Sequence, residues 1–212
     1  EQVLGELLPS DAKKVADSGD TCSMSHLGIG LCGKTNAVSR LNAKVASEMF
    51  PGTKIHPITN GIHHRTWTSP ATASLYDEHI EGWRSEPNRI SDAPSIPRDS
   101  LSKAREKNRE ALRKMVKERT GVELKPKLLT IGFARRFATY KRANLVFSDL
   151  ERLRAIGAGR IQFVFSGKAH PRDEGGKALI RQIFEGAEEL QNEIPVAFLP
   201  DYSMEIGQVM TG

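Results

Sequence analysis

The sequence has little cysteine. Cys22 and Cys32 are the only two in 212 residues, too few for a disulfide framework. It has no run of 18 apolar residues and no charged-then-apolar leader, so neither a membrane span nor a signal peptide is expected. A reduced, cytoplasmic setting is the expectation. Charge of one sign is not in large excess. The net charge is +5 with 27% charged residues, which does not by itself point to nucleic acid. Internal repeats and low-complexity tracts are absent. Several chemistries lack their residues as well. "SGKAHP" has no Gly five residues before Gly167 and no Ser or Thr after Lys168, so it is not a Walker A loop. His63 and His64 are adjacent, and adjacent side chains do not converge on one ion. No partner stands at a usual ligand spacing, so no metal site is expected. His26 and His170 read as hydrogen-bonding side chains, and Ser39 lacks the strand-turn-helix context of a nucleophile.

What is there alternates. Residues 1–22 are polar with a weak helical pattern in "EQVLGELL". The first half of "MSHLGIGLCGKTNAVSRLNAKVASEMF" is apolar and Gly-rich and reads as a buried strand or turn region. Val38, Leu41, Val45 and Met49 then fall at helical spacing, stopped by "PG" at 51–52. "KIHPITNGI" is strand-like. Residues 70–83 predict a helix with Pro70 in its first turn and Leu75, Ile80 and Trp83 on one side. Pro87, Pro94 and Pro97 mark a linker over 87–98. Beyond it, 99–119 is a strongly amphipathic helix with an apolar stripe of Leu101, Ala104, Ala111, Leu112, Met115 and Val116, closed by Gly121. "KLLTIGFA", "IQFVFSG" and "PVAFL" then read as strands separated by helices over 142–156 and 174–192. This pattern predicts an α/β fold with a parallel sheet, its strands covered on both faces. Three strands make a small sheet, and the domain organisation reads as 1–86, a linker at 87–98, and an incomplete 99–212. The missing Met and the abrupt "QVMTG" fit a chain cut at both ends.

Open α/β sheets bind ligands outside the carboxyl ends of their strands. "FARRFATYKR", "SGKAHPRDEGGK" and "LPDYSMEIG" each follow a predicted strand and share one rim. Together they bring Arg135, Arg136, Lys141, Lys168 and Tyr202. Guanidinium forks suit phosphate oxygens, and lysine adds a point charge. Such a rim suits a dianion such as phosphate. A solvated basic loop is the other reading. Phe137 and Tyr140 among the cations could also stack bases, but the stretch is short and sits in one βα loop, so no nucleic-acid partner is expected.

Five segments in order carry a resemblance: "MSHLGIGLCGKTNAVSRLNAKV", "ITNGIHHRTW", "IGFARRFATYKRANLVFSDLERL", "FVFSGKAHP" and "VAFLPDYSMEIG". Together they resemble the α-glucan phosphorylases (glycogen, starch and maltodextrin phosphorylases), most closely the short bacterial and archaeal form. The resemblance implies two Rossmann-like domains in the GT-B arrangement. The chain would hold the domain crossover and the first βα units of the C-terminal parallel sheet. It also implies phosphorolysis of α-1,4-glucans to α-glucose 1-phosphate, with pyridoxal phosphate whose 5′-phosphate does the acid/base work. On this resemblance Asn60 hydrogen-bonds the glucose and Tyr140 lines the glucose site. Arg136 and Lys141 bind the substrate phosphate. Arg135, where many members have Lys, touches the cofactor phosphate, and Tyr202 lies near it.

Two features depart from the family pattern. The Gly-rich "EASGTSGMK"-like segment with the Schiff-base lysine is absent from the 212 residues. Gly33 stands where long-form enzymes place a His whose backbone meets glucose. The expectation is therefore a fragment that is inactive alone and does not bind the cofactor covalently. Self-association that covers its strand edges would follow. A nucleotide-sugar-dependent retaining glycosyltransferase of the glycogen synthase type, or a non-catalytic phosphate- or sugar-binding module, are the alternatives.

Overall fold

Ser23, Ser39, Ser69, Asp149 and Ser203 each cap a helix in the computed structural model, so short polar side chains set the starts of these five helices. The structure describes residues 23–190 and 193–212. The helical pattern expected in 1–22, and the last two residues of the helix expected over 174–192, lie outside them. The chain divides into two compact units, Glu1–Ile62 and His63–Gly212.

In the first unit, helix α1 (Met24–Leu31) replaces the expected strand or turn. The Ser23 hydroxyl accepts the His26 amide at 3.3 Å, and this cap starts a helix that its two glycines disfavour but do not prevent. Strand β1 (Thr35–Ala37), helix α2 (Arg40–Met49) and strand β2 (Ile55–Pro57) follow. The two strands pair in parallel, Thr35 opposite Ile55, which makes a small βαβ unit. Helix α2 has the expected spacing, but Val38, Leu41, Val45 and Met49 are exposed among the described residues and only Ala43 is buried.

The second unit begins with α3 (His64–Trp67) and α4 (Pro70–His79), the latter with Pro at its first turn. Pro fits there because that amide has no helical partner. Helix α4 stops at His79, short of the expected 83, yet Leu75, Ile80 and Trp83 share one buried cluster with Ile96 and Ala104. The Pro-rich stretch is not an open linker. It forms a 3₁₀ helix over Pro87–Ser95, and Ile90 and Ala93 pack against that same cluster. Helix α5 (Arg98–Thr120) ends at Gly121 in the left-handed conformation, φ 74°. Its stripe differs from the expected one: Ala111 is exposed and Asn108 is buried. Asn108 accepts from the Ser69 hydroxyl at 2.8 Å and donates to Thr72 Oγ1 at 3.0 Å. Its buried amide is thus satisfied.

Strands β3 (Leu129–Ala134), β4 (Ile161–Ser166) and β5 (Val196–Leu199) form a parallel sheet in the order β3-β4-β5. Side chains alternate across it. Phe163 and Phe165 point into a core shared with α6 (Leu150–Gly157) and α7 (Glu174–Leu190). Val164, Ala197 and Leu199 point into a second core with Val116 of α5 and Ile206 of α8 (Met204–Thr211). Helices therefore cover both faces, as in a doubly wound α/β fold. Strand β4 is buried on both faces, as expected. Strand β3 is not: it lies at an edge among the described strands, and Leu129 stays 62% exposed. The helix expected over 142–156 is also shorter. Two 3₁₀ turns, Thr139–Lys141 and Leu145–Phe147, precede it. Asp149, whose carboxylate accepts the Arg152 amide at 2.9 Å, starts it at Leu150.

Candidate phosphate-binding site

The loop after β3 leaves the sheet in register. The ladder to β4 runs on past the strand ends, with the Arg135 amide donating to the Ser166 carbonyl at 3.2 Å and the Phe137 amide to the Lys168 carbonyl at 2.9 Å. Phe137 is fully buried in the aromatic core beside Phe133 and Phe198. Burying so large a ring anchors the loop at its centre. Ser166 is buried too and donates its hydroxyl to the Leu199 carbonyl at 2.9 Å, which ties the end of β4 to the end of β5. The three loops expected on one rim are thus held to it by their strands.

From this anchored base the 3₁₀ turn Thr139–Lys141 rises, closed by Arg142 in the left-handed conformation, φ 51°. Its amide donates to the Thr139 carbonyl at 3.1 Å. The turn brings three of the expected residues together. The Lys141 ammonium lies 4.8 Å from the centre of the Tyr140 ring, within cation–π range. Arg136 and, next, Lys141 act on the Tyr140 hydroxyl and hold its pKa below the ordinary phenol value. Tyr140 is 67% exposed, so its ring lies outside the core.

Among the described residues, none of Arg135, Arg136, Lys141, Arg142 or Lys168 forms an ion pair. On α5, by contrast, Arg109, Arg113, Lys114, Lys117 and Arg119 each meet a carboxylate. The second loop carries two acids of its own, but Asp173 accepts the Gly176 amide at 2.9 Å and Glu174 pairs with Lys177 at 2.6 Å. Cations without ion-pair partners among the described residues favour an anion, and forked donors beside a point charge favour phosphate in particular.

The other expected residues are placed differently. Tyr202 follows β5, but its ring packs on the α5/α8 core. Its hydroxyl lies 2.6 Å from where a Cβ on Gly207 would stand, beside Trp67. Asn60 belongs to the first unit. Its amide donates to the Val38 carbonyl at 3.0 Å, extending the β1–β2 ladder, and the residue is exposed. His63 shares a 2.7 Å hydrogen bond with Thr66 Oγ1. Sequence reasoning missed Ser166 and Gly167. The signal was present: a small pair, "SG", ends an apolar strand where loops must pass closely.

The sequence matches the carbohydrate phosphorylase family over residues 9–212. The chain belongs to that family. A maltodextrin phosphorylase from Thermococcus litoralis is 35% identical across 97% of this chain. Glycogen phosphorylases from Mycobacterium tuberculosis and Aquifex aeolicus are 34% and 31% identical across 96% and 94% of it. The alignments cover 28%, 27% and 34% of those relatives, so this carbohydrate phosphorylase chain spans about a third or less of their length. Among its described residues no helix is long and apolar enough to cross a membrane.

Proposed function

We propose that this chain carries the phosphate-binding rim of an α-glucan phosphorylase, which releases α-glucose 1-phosphate from the non-reducing ends of α-1,4-glucans with inorganic phosphate. The observation behind the reading is the group of Arg136, Tyr140 and Lys141, without acid partners among the described residues, at the carboxyl end of β3 in a chain of this family. In this reading Arg136 grips the substrate phosphate with its fork. Lys141 neutralises negative charge that grows as the glycosidic bond breaks. Tyr140 lines the glucose site, and Asn60 hydrogen-bonds the sugar. Residues 1–86 are read as the end of an N-terminal domain and 99–212 as the first half of a C-terminal one. A cytoplasmic setting, and self-association that covers open strand edges, belong to the same reading.

The family implies pyridoxal phosphate, and the rim fits its phosphate group. Arg135 and Lys168 remain as further cations without an ion-pair partner among the described residues, and two phosphates side by side need such charge to offset their repulsion. Arg135 and Tyr202 are the residues assigned to it. When bound, the cofactor supplies a second phosphate able to exchange a proton with the first. The chain offers it ionic contacts but no Gly-rich segment ending in lysine.

Phosphorolysis by the complete gene product tests the reading. Lys141→Ala and Arg136→Ala are each expected to lower the rate of maltodextrin phosphorolysis by about 100-fold or more, with the pyridoxal absorbance retained. An unchanged rate in either variant overturns its assigned role. The gene beyond Gly212 gives an independent check. A Gly-rich segment ending in lysine supports the assignment, and its absence from the complete gene sinks it.

A further inference from the structure

Arg136 stands between two backbone positions that the structure fixes unusually tightly. On its amino side, the Arg135 carbonyl oxygen lies 2.0 Å from where a Cβ on Gly167 would be. Gly167 also has φ +146°, a conformation that side chains rarely adopt. The Arg135 amide is held as well, by the Ser166 carbonyl. On the carboxyl side, the Phe137 carbonyl oxygen lies 2.6 Å from where a Cβ on Gly176 would be. Gly176 belongs to the first turn of α7, and its amide is fastened to Asp173. The Phe137 ring is buried and its amide is bonded to Lys168. Backbone thus meets backbone at both neighbours of Arg136, and at both contacts the partner is a glycine.

Bare backbone contact of this kind leaves no side chain that could yield. Adding one methyl group at either glycine must push the 135–137 segment away from β4 or α7. That displaces the root of the Arg136 side chain relative to Tyr140 and Lys141, which ride on the following turn. Gly175 differs. A Cβ there would meet the Thr139 methyl at 2.9 Å, the end of a side chain that can rotate.

We infer that Gly167 and Gly176 are positioning residues for Arg136, setting where its guanidinium meets the phosphate. The inference rests on the proposed role of Arg136 as a phosphate ligand. A shift of about 1 Å in a charged donor is enough to cost a reaction 10²-fold, so the effect is measurable without loss of fold.

The test uses the complete gene product and separates substrates. Gly176→Ala and Gly167→Ala are expected to raise the KM for phosphate about tenfold or more while changing the KM for maltodextrin less than twofold. In an Arg136→Ala background, the same glycine substitutions are expected to add less than twofold, because they act through the missing side chain. Gly175→Ala serves as the neighbouring control, with both KM values within twofold of the parent. The inference falls if the phosphate KM of folded glycine variants is unchanged, if both KM values rise together, or if the penalties persist undiminished in the Arg136→Ala background. Should Gly167→Ala not fold, Gly176→Ala decides. Should neither fold, the two glycines are structural and the inference is overturned. Arg136→Ala alone keeps the two ideas apart. If it leaves the phosphate KM unchanged, the proposed function of Arg136 fails. If it raises that KM while the glycine variants do not, only the positioning inference fails.

Discussion

The Lys141 ammonium lies 4.8 Å from the centre of the Tyr140 ring, and the Tyr140 hydroxyl answers to both Arg136 and Lys141. A phenol between two cations loses its proton more readily, because the phenolate is the form they stabilise. Tyr140 is therefore expected to ionise below the usual tyrosine value of about 10. Its depressed folded-state pKa contributes stability above the unfolded value, and that contribution is lost as pH falls through the folded one. A tyrosinate absorbance titration, compared with Tyr140→Phe, should reveal the early step. Lys141→Met should move the step upward, and a step that does not move would break the link between the two residues.

Asp77 receives the Trp83 indole N–H at 2.9 Å and a two-pronged contact from Arg84 at 2.8 and 2.7 Å. Its carboxyl pKa is lowered, first by Arg84 and then by Trp83. The stability this lends is present above the ordinary aspartate value and is lost as pH falls through the lowered folded value. Acid unfolding followed by tryptophan fluorescence should therefore be less steep in Asp77→Asn over that range. Identical acid profiles for parent and variant would remove the ionised carboxylate from the account.

Gln162 is buried in β4, and its amide spans two elements. It accepts the Lys125 amide at 2.8 Å and donates to the Lys125 carbonyl at 3.0 Å and to Thr130 Oγ1 at 2.8 Å. Gln162→Leu keeps the volume but strands both backbone groups of Lys125. The expected loss is about 1–3 kcal/mol in urea unfolding. A loss well under that range would mean water replaces the amide.

Ile183 of α7 is fully buried, and Ile156 of α6 is exposed. Ile183→Ala is expected to cost about 2–5 kcal/mol, and Ile156→Ala within about 0.5 kcal/mol of nothing. Equal shifts in the urea midpoint would contradict the packing described for the α6/α7 face.

Much of the sheet unit was legible because its signals are local and repeat. Helix α5 announces itself through a long charged-apolar period and Gly121, and β4 through an unbroken apolar run. The rim was legible for the same reason, since parallel strands put their following loops at one end. The misses have physical causes. In α1, glycines mask a helix that a single serine cap starts. In 142–156, the periodicity was read through Asp149, whose carboxylate begins the helix eight residues later than expected. The three prolines of 87–97 suggested an open segment, yet the isoleucines beside them, Ile90 and Ile96, find a core. The burial of Asn108 was not legible because its partners, Ser69 and Thr72, are far away in sequence. The seat of Tyr202 depends on Gly207 having no side chain, which no pattern of periodicity expresses.

The placement of α8 carries a consequence of handedness. Helices α6 and α7 lie on one face of the sheet, and the strands they join step from β3 to β4 to β5 in one direction. Helix α8 leaves β5 on the opposite face and reaches back over β3, where Met210 Cε comes within 3.4 Å of a Cβ position on Gly132. Parallel crossovers are right-handed in nearly every case. A strand joined to α8 in that way would step in the reverse direction and lie against β3, on the edge that no described strand covers. The winding of the sheet would then turn about on the line that runs up β3 to Arg136.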